Sequence, residues 1–366
     1  MNQHLLEFLA CPTCRRTPQL IRFRGLDVSP RQDGSNNEPA DILSGVLKCA
    51  CGAVYPIIEG VPRFLEGGLE NFPDFANQYR RELESTCGTR QKFQSPKAKN
   101  GNDDYDNIRK SFSQEWGIFD YENDKTWGWT LDERKKVFLG DINLEAGRLP
   151  GKKLLDAGCG NGTLTAALGV FGMEIVGIDL NEGLGRAYVN GSKYAESAAS
   201  RVQYLQANLV NPPFKQDLFD LVYSSGVIHH TPSSKNTFAS LVSVTRRGGR
   251  LYVWVYGRRG WPVRVFFWFG RSLKNWMSLK SVLSTCRMLA PIYSFTAIFL
   301  NALGIMKFRS RSNREITLDL FDAFAPRYNH YHSKSEVRSW FEAYGFTNVN
   351  LSGVQKHGFG MYGDKM

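Results

Sequence analysis

The stretch that most constrains this chain is residues 153–180, KLLDAGCGNGTLTAALGVFGMEIVGIDL. A short apolar run ends at Asp156, breaks into a turn with glycines at 158, 160 and 162, and continues as helix formers. A second apolar run ends at Asp179. Strands buried on both faces read as continuous apolar runs, and glycines at a strand-to-helix turn let a ligand touch backbone N–H groups. The pattern predicts a strand–helix–strand unit with a ligand at the glycine turn.

Alternating strand and helix patterns continue to the end of the chain. Ser333 and Glu336 have the spacing of a capping box, so a helix should begin there. Strands that alternate with helices predict an α/β fold with a doubly wound parallel sheet. The other predicted elements are strands at 202–205, 219–224 and 251–256, a helix at 234–245, a turn at 247–249, and a closing hairpin of 346–351 and 354–360.

The spacing of the glycines resembles that of a known cofactor site. Asp-x-Gly-x-Gly-x-Gly, with Asp179 following Asp156 by 23 positions, resembles the S-adenosylmethionine (SAM) site of class I methyltransferases and not the Gly-x-Gly-x-x-Gly of nicotinamide enzymes. From residue 112 onward the chain resembles bacterial methyltransferases of the group that contains quinone-biosynthesis and sugar methyltransferases. The resemblance implies a Rossmann-like sheet with a C-terminal antiparallel strand, and SAM as cofactor.

The same resemblance implies the SAM-binding residues. Asp156 would hold the loop, Asp179 would accept hydrogen bonds from the ribose, and Asn208, where the family usually has Asp, would face the adenine. The full implied set is Asp156, Gly158, Cys159, Gly160, Asn161, Gly162, Asp179, Leu180, Asn208, Leu209 and Ser225.

Histidines supply the catalytic and substrate-pocket candidates. His229 and His230, in YSSGVIHHTP after the fourth strand, are candidates for a general base, because histidine titrates near neutrality. The alternative is that they hydrogen-bond the loop or pack against SAM. Tyr328, His330 and His332, in a later polar cluster, are candidates for the acceptor pocket, with a structural loop as the alternative.

The N-terminal 68 residues read as a separate zinc-ribbon domain. Cys11 and Cys14 form one knuckle, and Cys49 and Cys51 form a second, tighter one. Four thiolates can hold a structural zinc ion, which supplies folding energy that so small a unit lacks; a metal-free ribbon is the alternative. The segments LLEFLACPTC and GVLKCACGAVYPIIEGVPRF resemble the activator subunit of eukaryotic and archaeal tRNA and translation-factor methyltransferases.

A linker and an aromatic segment precede the main domain. Residues 69–110 have low apolar content and read as a linker, with 95–107 disordered. Thr130 and Glu133 form a capping box for a helix to about residue 139. Trp116, Trp127 and Trp129 either fold over the cofactor, as such segments commonly do in the family, or pack in the core. The methyltransferase domain would then span residues 111–366.

A basic, aromatic insertion interrupts this domain at about residues 257–322. Residues 221–314 contain fifteen Lys or Arg and no Asp or Glu, although the whole chain carries a net charge of +11, so an anionic partner is expected. Residues 266–283 have helical apolar spacing, and residues 288–306 are uncharged. The insertion is interpreted as a helical lid over the acceptor, with contact to an anionic membrane surface or to RNA as alternatives; internal polar residues disfavour a membrane span.

These observations lead to one functional hypothesis and two alternatives. The leading one is SAM-dependent methylation of a small-molecule or amphiphilic, lipid-linked acceptor, at oxygen or carbon. The alternatives are an RNA methyltransferase, for which nucleic acid would be the partner, and a non-catalytic SAM-binding protein. An odd number of cysteines, seven, and an N-terminus without a secretory pattern predict a cytoplasmic protein, with peripheral membrane contact left open.

Overall fold

The fold is known from a computed structural model. It describes residues 1–23, 28–29, 41–87, 103–118, 129–187, 201–258, 277–303, 311–355 and 357–366. Three segments for which predictions were made above lie outside these ranges: residues 95–102, Trp127, and residues 259–276 and 304–310 of the insertion.

An eleven-stranded sheet forms the centre of the described structure. Its order is β1-β4-β5-β6-β9-β8-β7-β10-β11-β13-β12, and the strands from β6 to β11 in this order run parallel. β13 and β12 form the predicted C-terminal antiparallel hairpin. The strands of this sheet are β1 (Gln19–Arg22), β4 (Gly45–Lys48), β5 (Val54–Ile58), β6 (Val61–Phe64), β7 (Lys153–Ala157), β8 (Glu174–Asp179), β9 (Arg201–Ala207), β10 (Phe219–Ser225), β11 (Thr245–Tyr256), β12 (Phe346–Gln355) and β13 (Gly358–Lys365), whereas β2 (Val28–Ser29) and β3 (Asp41–Ile42) pair separately.

Helices cover both faces of the sheet. They are α1 (Pro73–Gln78), α2 (Arg80–Cys87), α3 (Asp103–Ile118), α4 (Leu131–Ile142), α5 (Thr163–Ala167), α6 (Ser234–Val244), α7 (Leu279–Ala302), α8 (Asn313–Phe324) and α9 (Lys334–Ala343). Neighbouring strand residues point to opposite faces: Leu154 packs with Phe138 of α4, and Leu155 belongs to the cluster with Phe238 of α6. The predicted doubly wound α/β fold is confirmed. The predicted capping boxes begin α4 at Thr130 and α9 at Ser333.

The N-terminal ribbon joins the main sheet directly. β6 pairs in parallel with β9, so that Arg63 aligns with Gln206 and Phe64 with Ala207. Phe8 belongs to the same apolar core as Phe214 and Phe219. The sequence predicted a separate unit; the structure instead has one continuous sheet and one shared core.

Three sequence-based predictions differ from the structure. The predicted linker contains α1 and α2. Phe75 of α1, Tyr79 between the two helices and Leu83 of α2 recur every four residues and close a core with the ribbon's Phe23. α3 begins at Asp103, inside the segment predicted as disordered. The predicted turn at 247–249 is a bulge within β11, because Phe219 pairs with Thr245 while Leu221 pairs with Arg250.

The insertion contributes the long helix α7. Its buried side chains pack against α8 in a small cluster that includes Cys286 and Phe321. Pro291 lies inside the helix. Among the described helices, α7 is the one with the length and apolar composition needed to cross a membrane.

Candidate active site

The glycine turn lies between β7 and α5, where the strand order reverses. β8 and β10 flank β7 on opposite sides, and ligands of open α/β sheets bind at such a crevice beyond the carboxyl ends of the strands. Gly158 (φ 94°) and Gly160 (φ 58°) have left-handed backbone conformations. A Cβ at Gly158 would lie 2.2 Å from Val227, and one at Gly160 would lie 2.4 Å from the indole of Trp116. Both positions therefore require glycine for conformation and for space.

Asp179 and Asn181 clamp this turn to the end of β8. The backbone N–H of Gly160 donates to Asp179 Oδ2 at 2.9 Å, and Asn181 Nδ2 donates to the Gly160 carbonyl at 2.6 Å. Burial raises the pKa of Asp179, which the hydrogen bonds from Asn181 and Gly160 oppose. The turn is thus held in place by the same carboxylate that the sequence predicted as the ribose acceptor.

Asp156 and Asn161 fix the turn from the other side. The Thr165 hydroxyl of α5 donates to Asp156 Oδ2 at 2.6 Å, and Thr163 N–H donates to Asn161 Oδ1 at 3.0 Å. Burial raises the pKa of Asp156 to about 6. Cys159 is buried, and its backbone N–H donates to Ile178. In this structure Asp156 contacts the helix that follows the loop.

The other predicted SAM residues lie at the ends of neighbouring strands. Asn208 follows β9, and its side-chain oxygen accepts from Val210 N–H at 3.0 Å, so one of its two lone pairs serves a local turn. Leu209 is buried, and Ser225 ends β10 half-exposed. The Leu180 carbonyl accepts from Gln206 at 2.9 Å. All predicted members therefore lie along one edge of the parallel sheet.

Helix α3 covers this edge. Trp116 lies against Gly160, and Phe112, one helical turn earlier, makes an edge contact with the His230 ring at 5.5 Å between centroids. The helix is attached beyond β8 because Ser113 Oγ accepts from Glu182 N–H at 3.0 Å and Arg109 pairs with the Glu182 carboxylate at 3.4 Å. One helix thus contacts both the glycine turn and His230.

The two adjacent histidines have different surroundings. His229 is fully buried, with its ring 4.1 Å from that of Tyr256. His230 Nδ1 lies 3.0 Å from the Tyr328 carbonyl, and its Nε2 lies 3.7 Å from Asp322 Oδ1. Asp322 also accepts the Tyr256 hydroxyl at 2.6 Å. Of the two histidines, His230 is thus the one beside a carboxylate, and Asp322 is the first residue of the polar cluster that the sequence indicated as a pocket candidate.

The later polar cluster is largely engaged within the fold. His332 lies between Glu336 Oε1 at 2.9 Å and Ser234 Oγ at 3.0 Å, and so ties α9 to α6. Burial lowers the pKa of His332 despite Glu336. His330 Nε2 contacts the Thr231 carbonyl at 3.0 Å. These contacts favour the structural alternative for His330 and His332, while Tyr328 contributes through its carbonyl.

The four ribbon cysteines converge. Their sulfur atoms all lie within 4.8 Å of one another, with Cys14 to Cys49 at 3.2 Å and Cys11 to Cys51 at 3.7 Å. Tetrahedral zinc with Zn–S bonds of about 2.3 Å needs sulfur separations of about 3.8 Å. Burial opposes ionisation of the Cys11 thiol, but backbone N–H groups of Cys14 and Thr13 lower its pKa to about 6. The donor set fits a structural zinc ion, even with the tight second knuckle.

Two families match separate parts of the chain. Residues 155–253 match the family described as methyltransferase domain, and residues 2–60 match the family described as Trm112p-like protein. The chain carries a methyltransferase domain behind a Trm112p-like domain.

Individual relatives align over the methyltransferase domain. Sterol 24-C-methyltransferase from Gibberella zeae is 31% identical over 110 residues, which are 29% of this chain and 28% of that protein. Ubiquinone biosynthesis O-methyltransferase from Aromatoleum aromaticum is 30% identical over 127 residues, 33% of this chain and 51% of that protein. This chain thus spans between about a quarter and a half of their lengths. Among solved structures, magnesium protoporphyrin IX methyltransferase from Synechocystis with bound SAM superposes at a TM-score of 0.44, with 15% identity over 74% of this chain and 100% of that one.

The Trm112p-like domain reaches the edge of the methyltransferase domain's candidate site. Arg63 on β6 is buried and donates to Gln206 Oε1 at 3.2 Å, and Gln206 in turn donates to Leu180. Burial lowers the pKa of Arg63 to about 10, although Glu59 and Glu182 oppose this shift. Sequence reasoning missed Arg63 because the only local sign was a single charge inside a short apolar strand.

Proposed function

We propose that this chain transfers a methyl group from SAM to oxygen or carbon of a small-molecule or lipid-linked acceptor. The observation that carries the proposal is that one helix, α3, contacts the clamped glycine turn through Trp116 and the His230 ring through Phe112, so the turn and the His230–Asp322 pair lie beside the same helix. The methyltransferase-family match over residues 155–253 supports it, as does similarity to enzymes named as sterol C-methyltransferase and ubiquinone biosynthesis O-methyltransferase.

The residues around the turn fit SAM. Asp179 has one oxygen on Gly160 N–H and the other on Asn181 N–H, and each carboxylate oxygen retains a second lone pair for a ribose hydroxyl. Trp116 provides an aromatic surface above the turn. When bound, SAM supplies a methyl group on a positively charged sulfur. The chain's own contribution to this step is the alignment of donor and acceptor, which by itself accelerates transfer.

His230 is the residue to which we assign proton removal from a hydroxyl acceptor. The Tyr328 carbonyl can only accept, so Nδ1 of His230 carries the hydrogen and the neutral ring has its lone pair on Nε2. Nε2 would take the hydroxyl proton as the acceptor oxygen bonds to the methyl carbon and the methyl–sulfur bond breaks, with its electron pair left on the neutral sulfur. The resulting imidazolium lies beside Asp322, whose carboxylate stabilises the positive charge, and Tyr256 holds that carboxylate in place.

The acceptor is proposed to be amphiphilic and the enzyme to act in the cytoplasm, at or near a membrane. Sterols are apolar molecules, and the relatives named above support an acceptor of that character over RNA. The basic composition of residues 221–314 supports an acceptor with an anionic group such as phosphate.

A label-partition assay tests the function. The full chain and methyl-tritiated SAM are mixed with a cell extract that is then separated into organic-soluble, small-molecule, RNA and protein pools. We expect label in one of the first two pools. Label confined to RNA would overturn the acceptor class, and tight SAM binding with no label in any pool would favour the non-catalytic alternative.

The same assay tests the role of His230. We expect His230→Gln to lower the transfer rate to a hydroxyl acceptor by about 10²–10⁴-fold while leaving the SAM dissociation constant unchanged. Asp322→Asn should lower the rate less and shift the pH profile, because it acts through His230. The control is His357→Gln, at an exposed position. Full activity of the His230 variant would show that alignment alone suffices.

A further inference from the structure

Helix α7 has one face that is fixed to the protein. Val282, Leu283 and Cys286 are buried and belong to the cluster that includes Phe321 and Phe324 of α8. Ala290, one turn further, is also buried on this face. The helix is therefore anchored along its N-terminal half, and its orientation on the protein is set by this packing.

The opposite face of α7 is apolar and exposed. We define the apolar stripe as five residues at helical spacing, each with more than half of its surface exposed: Met288 (66%), Ile292 (62%), Phe295 (74%), Phe299 (54%) and Leu303 (55%). Each residue turns the helix by 100° about its axis, so the centre of the stripe lies about 150° around the axis from the centre of the buried face. A surface helix normally has polar residues there. Exposed contiguous apolar surface of this kind indicates a binding surface.

The charges around the stripe restrict its occupant. Residues 277–303 contain no Asp or Glu, and their two basic residues, Lys280 and Arg287, are exposed on α7 itself. The acids of the following helix are engaged: Glu315 caps α8, and Asp319 pairs with Arg311 at 2.6 Å. The occupant must therefore be both apolar and anionic. A second copy docked through the same helix would bring the same basic residues and no acid from residues 277–303, and RNA has little apolar surface to cover the stripe.

The geometry favours lying on a membrane over crossing it. The uncharged part of the helix, residues 288–302, is about 22 Å long at 1.5 Å per residue, whereas the hydrocarbon core is about 30 Å thick. The N-terminal half is packed against α8 and carries Lys280 and Arg287. One face of α7 packs on the protein, and the other is apolar and flanked by basic residues. A helix of this kind is suited to lie at the boundary between lipid headgroups and acyl chains.

We propose that the apolar stripe of α7 docks this protein onto a membrane surface that contains anionic lipids. The five stripe residues insert among the acyl chains, and the basic residues that flank them contact lipid phosphates. This docking does not require methyl transfer, so it can fail or hold independently of the proposed function. If both hold, the surface brings the site close to acceptors dissolved in the bilayer.

Vesicle flotation with the full chain tests the proposal. We expect binding to phosphatidylcholine vesicles containing 30% phosphatidylglycerol, weaker binding to pure phosphatidylcholine, and loss of binding at high salt. The double variant Ile292→Gln/Phe295→Gln should bind at least about tenfold less. The matched control is Val170→Gln/Leu351→Gln, which removes exposed apolar side chains elsewhere and should bind as the wild type does.

Three results would overturn the proposal. The first is no binding of the wild type to the anionic vesicles. The second is equal binding by the stripe variant when its circular dichroism and melting temperature match those of the wild type. The third is a wild-type dimer in solution that the stripe variant converts to a monomer, because the stripe would then be covered by a second copy.

Discussion

At the residue scale, the candidate site depends on close packing as much as on polar contacts. Gly160 is in contact with Trp116 above, donates its N–H to Asp179, and accepts from Asn181 through its carbonyl. Each of these contacts occupies a different side of the same residue. A single added methyl group at this position therefore disturbs the aromatic cover and the clamp together.

Gly160→Ala should abolish detectable SAM binding or weaken it by at least about 100-fold. The Cβ would lie 2.4 Å from the Trp116 indole, at a φ of 58° that disfavours alanine. Trp116→Ala in the same chain should restore only part of the affinity, because it relieves the contact and leaves the backbone strain. Isothermal titration with SAM measures this, and Gly147→Ala, which has open space around it, is the control. Unchanged affinity in the single variant would contradict the predicted site.

Asp141 provides a test of pH dependence away from the proposed chemistry. Burial raises its pKa to about 6, against the hydrogen bond from Tyr223. The native state therefore binds more protons than the unfolded state between about pH 4 and 6, and the stability contribution of this group falls as pH rises through that window. We expect Asp141→Asn to match the wild type near pH 4 and to exceed it at pH 7 by at most about 3 kcal/mol.

Urea denaturation at several pH values measures this difference. Asp74→Asn, at an exposed position of α1, is the control and should leave the pH profile unchanged. A pH profile of Asp141→Asn parallel to that of the wild type would show that Asp141 is charged in the native state without penalty.

At the element scale, strand β6 joins the ribbon to the sheet of the methyltransferase domain. It is the last strand of the ribbon and also pairs with β9, whose end carries Gln206 and, just beyond it, Asn208. Arg63 on this strand contacts Gln206. Loss of the ribbon would leave β9 as an exposed edge beside the candidate SAM site.

Removal of zinc should therefore destabilise the methyltransferase domain as well as the ribbon. We expect the purified chain to contain one zinc ion, and Cys14→Ser to lose it and to lower the free energy of unfolding by roughly 5 kcal/mol or more. Elemental analysis and chemical denaturation measure the two effects. Arg16→Gln, exposed and close to the same knuckle, should keep both metal and stability. Full stability of a metal-free protein would support the metal-free ribbon instead.

At the scale of the whole molecule, the shared sheet and core predict one cooperative unit. The largest apolar cluster contains ribbon residues such as Met1 and Leu5 together with Val176 and Val253 of the methyltransferase domain. Two domains joined only by a linker would each have a core of its own. In this chain, neither part can bury its apolar surface fully without the other.

Calorimetry should accordingly show one unfolding transition for the full chain. Residues 103–366 expressed without the ribbon should be poorly soluble, because β9 and the apolar surface around Phe214 become exposed. Two well-separated transitions, or a soluble and stable fragment, would show that the domains are energetically independent.

The sequence by itself determined the features that depend on neighbouring residues. Apolar runs, glycine spacing and capping boxes placed the strands β7 to β11, the glycine turn and the starts of α4 and α9, because backbone preferences and burial periodicity act within a few residues. The pairs of cysteines likewise predicted the four sulfur atoms that converge in the ribbon.

Only the tertiary structure decided which distant segments meet. The pairing of β6 with β9 and the approach of Asp322 to His230 join residues far apart in the chain, and no local pattern specifies them. The uncharged part of α7 carries apolar residues around most of its circumference, so its periodicity could not show which face is buried. Packing against α8 settled that question and left the apolar stripe facing outward, because a helix can bury only the face that a neighbour covers.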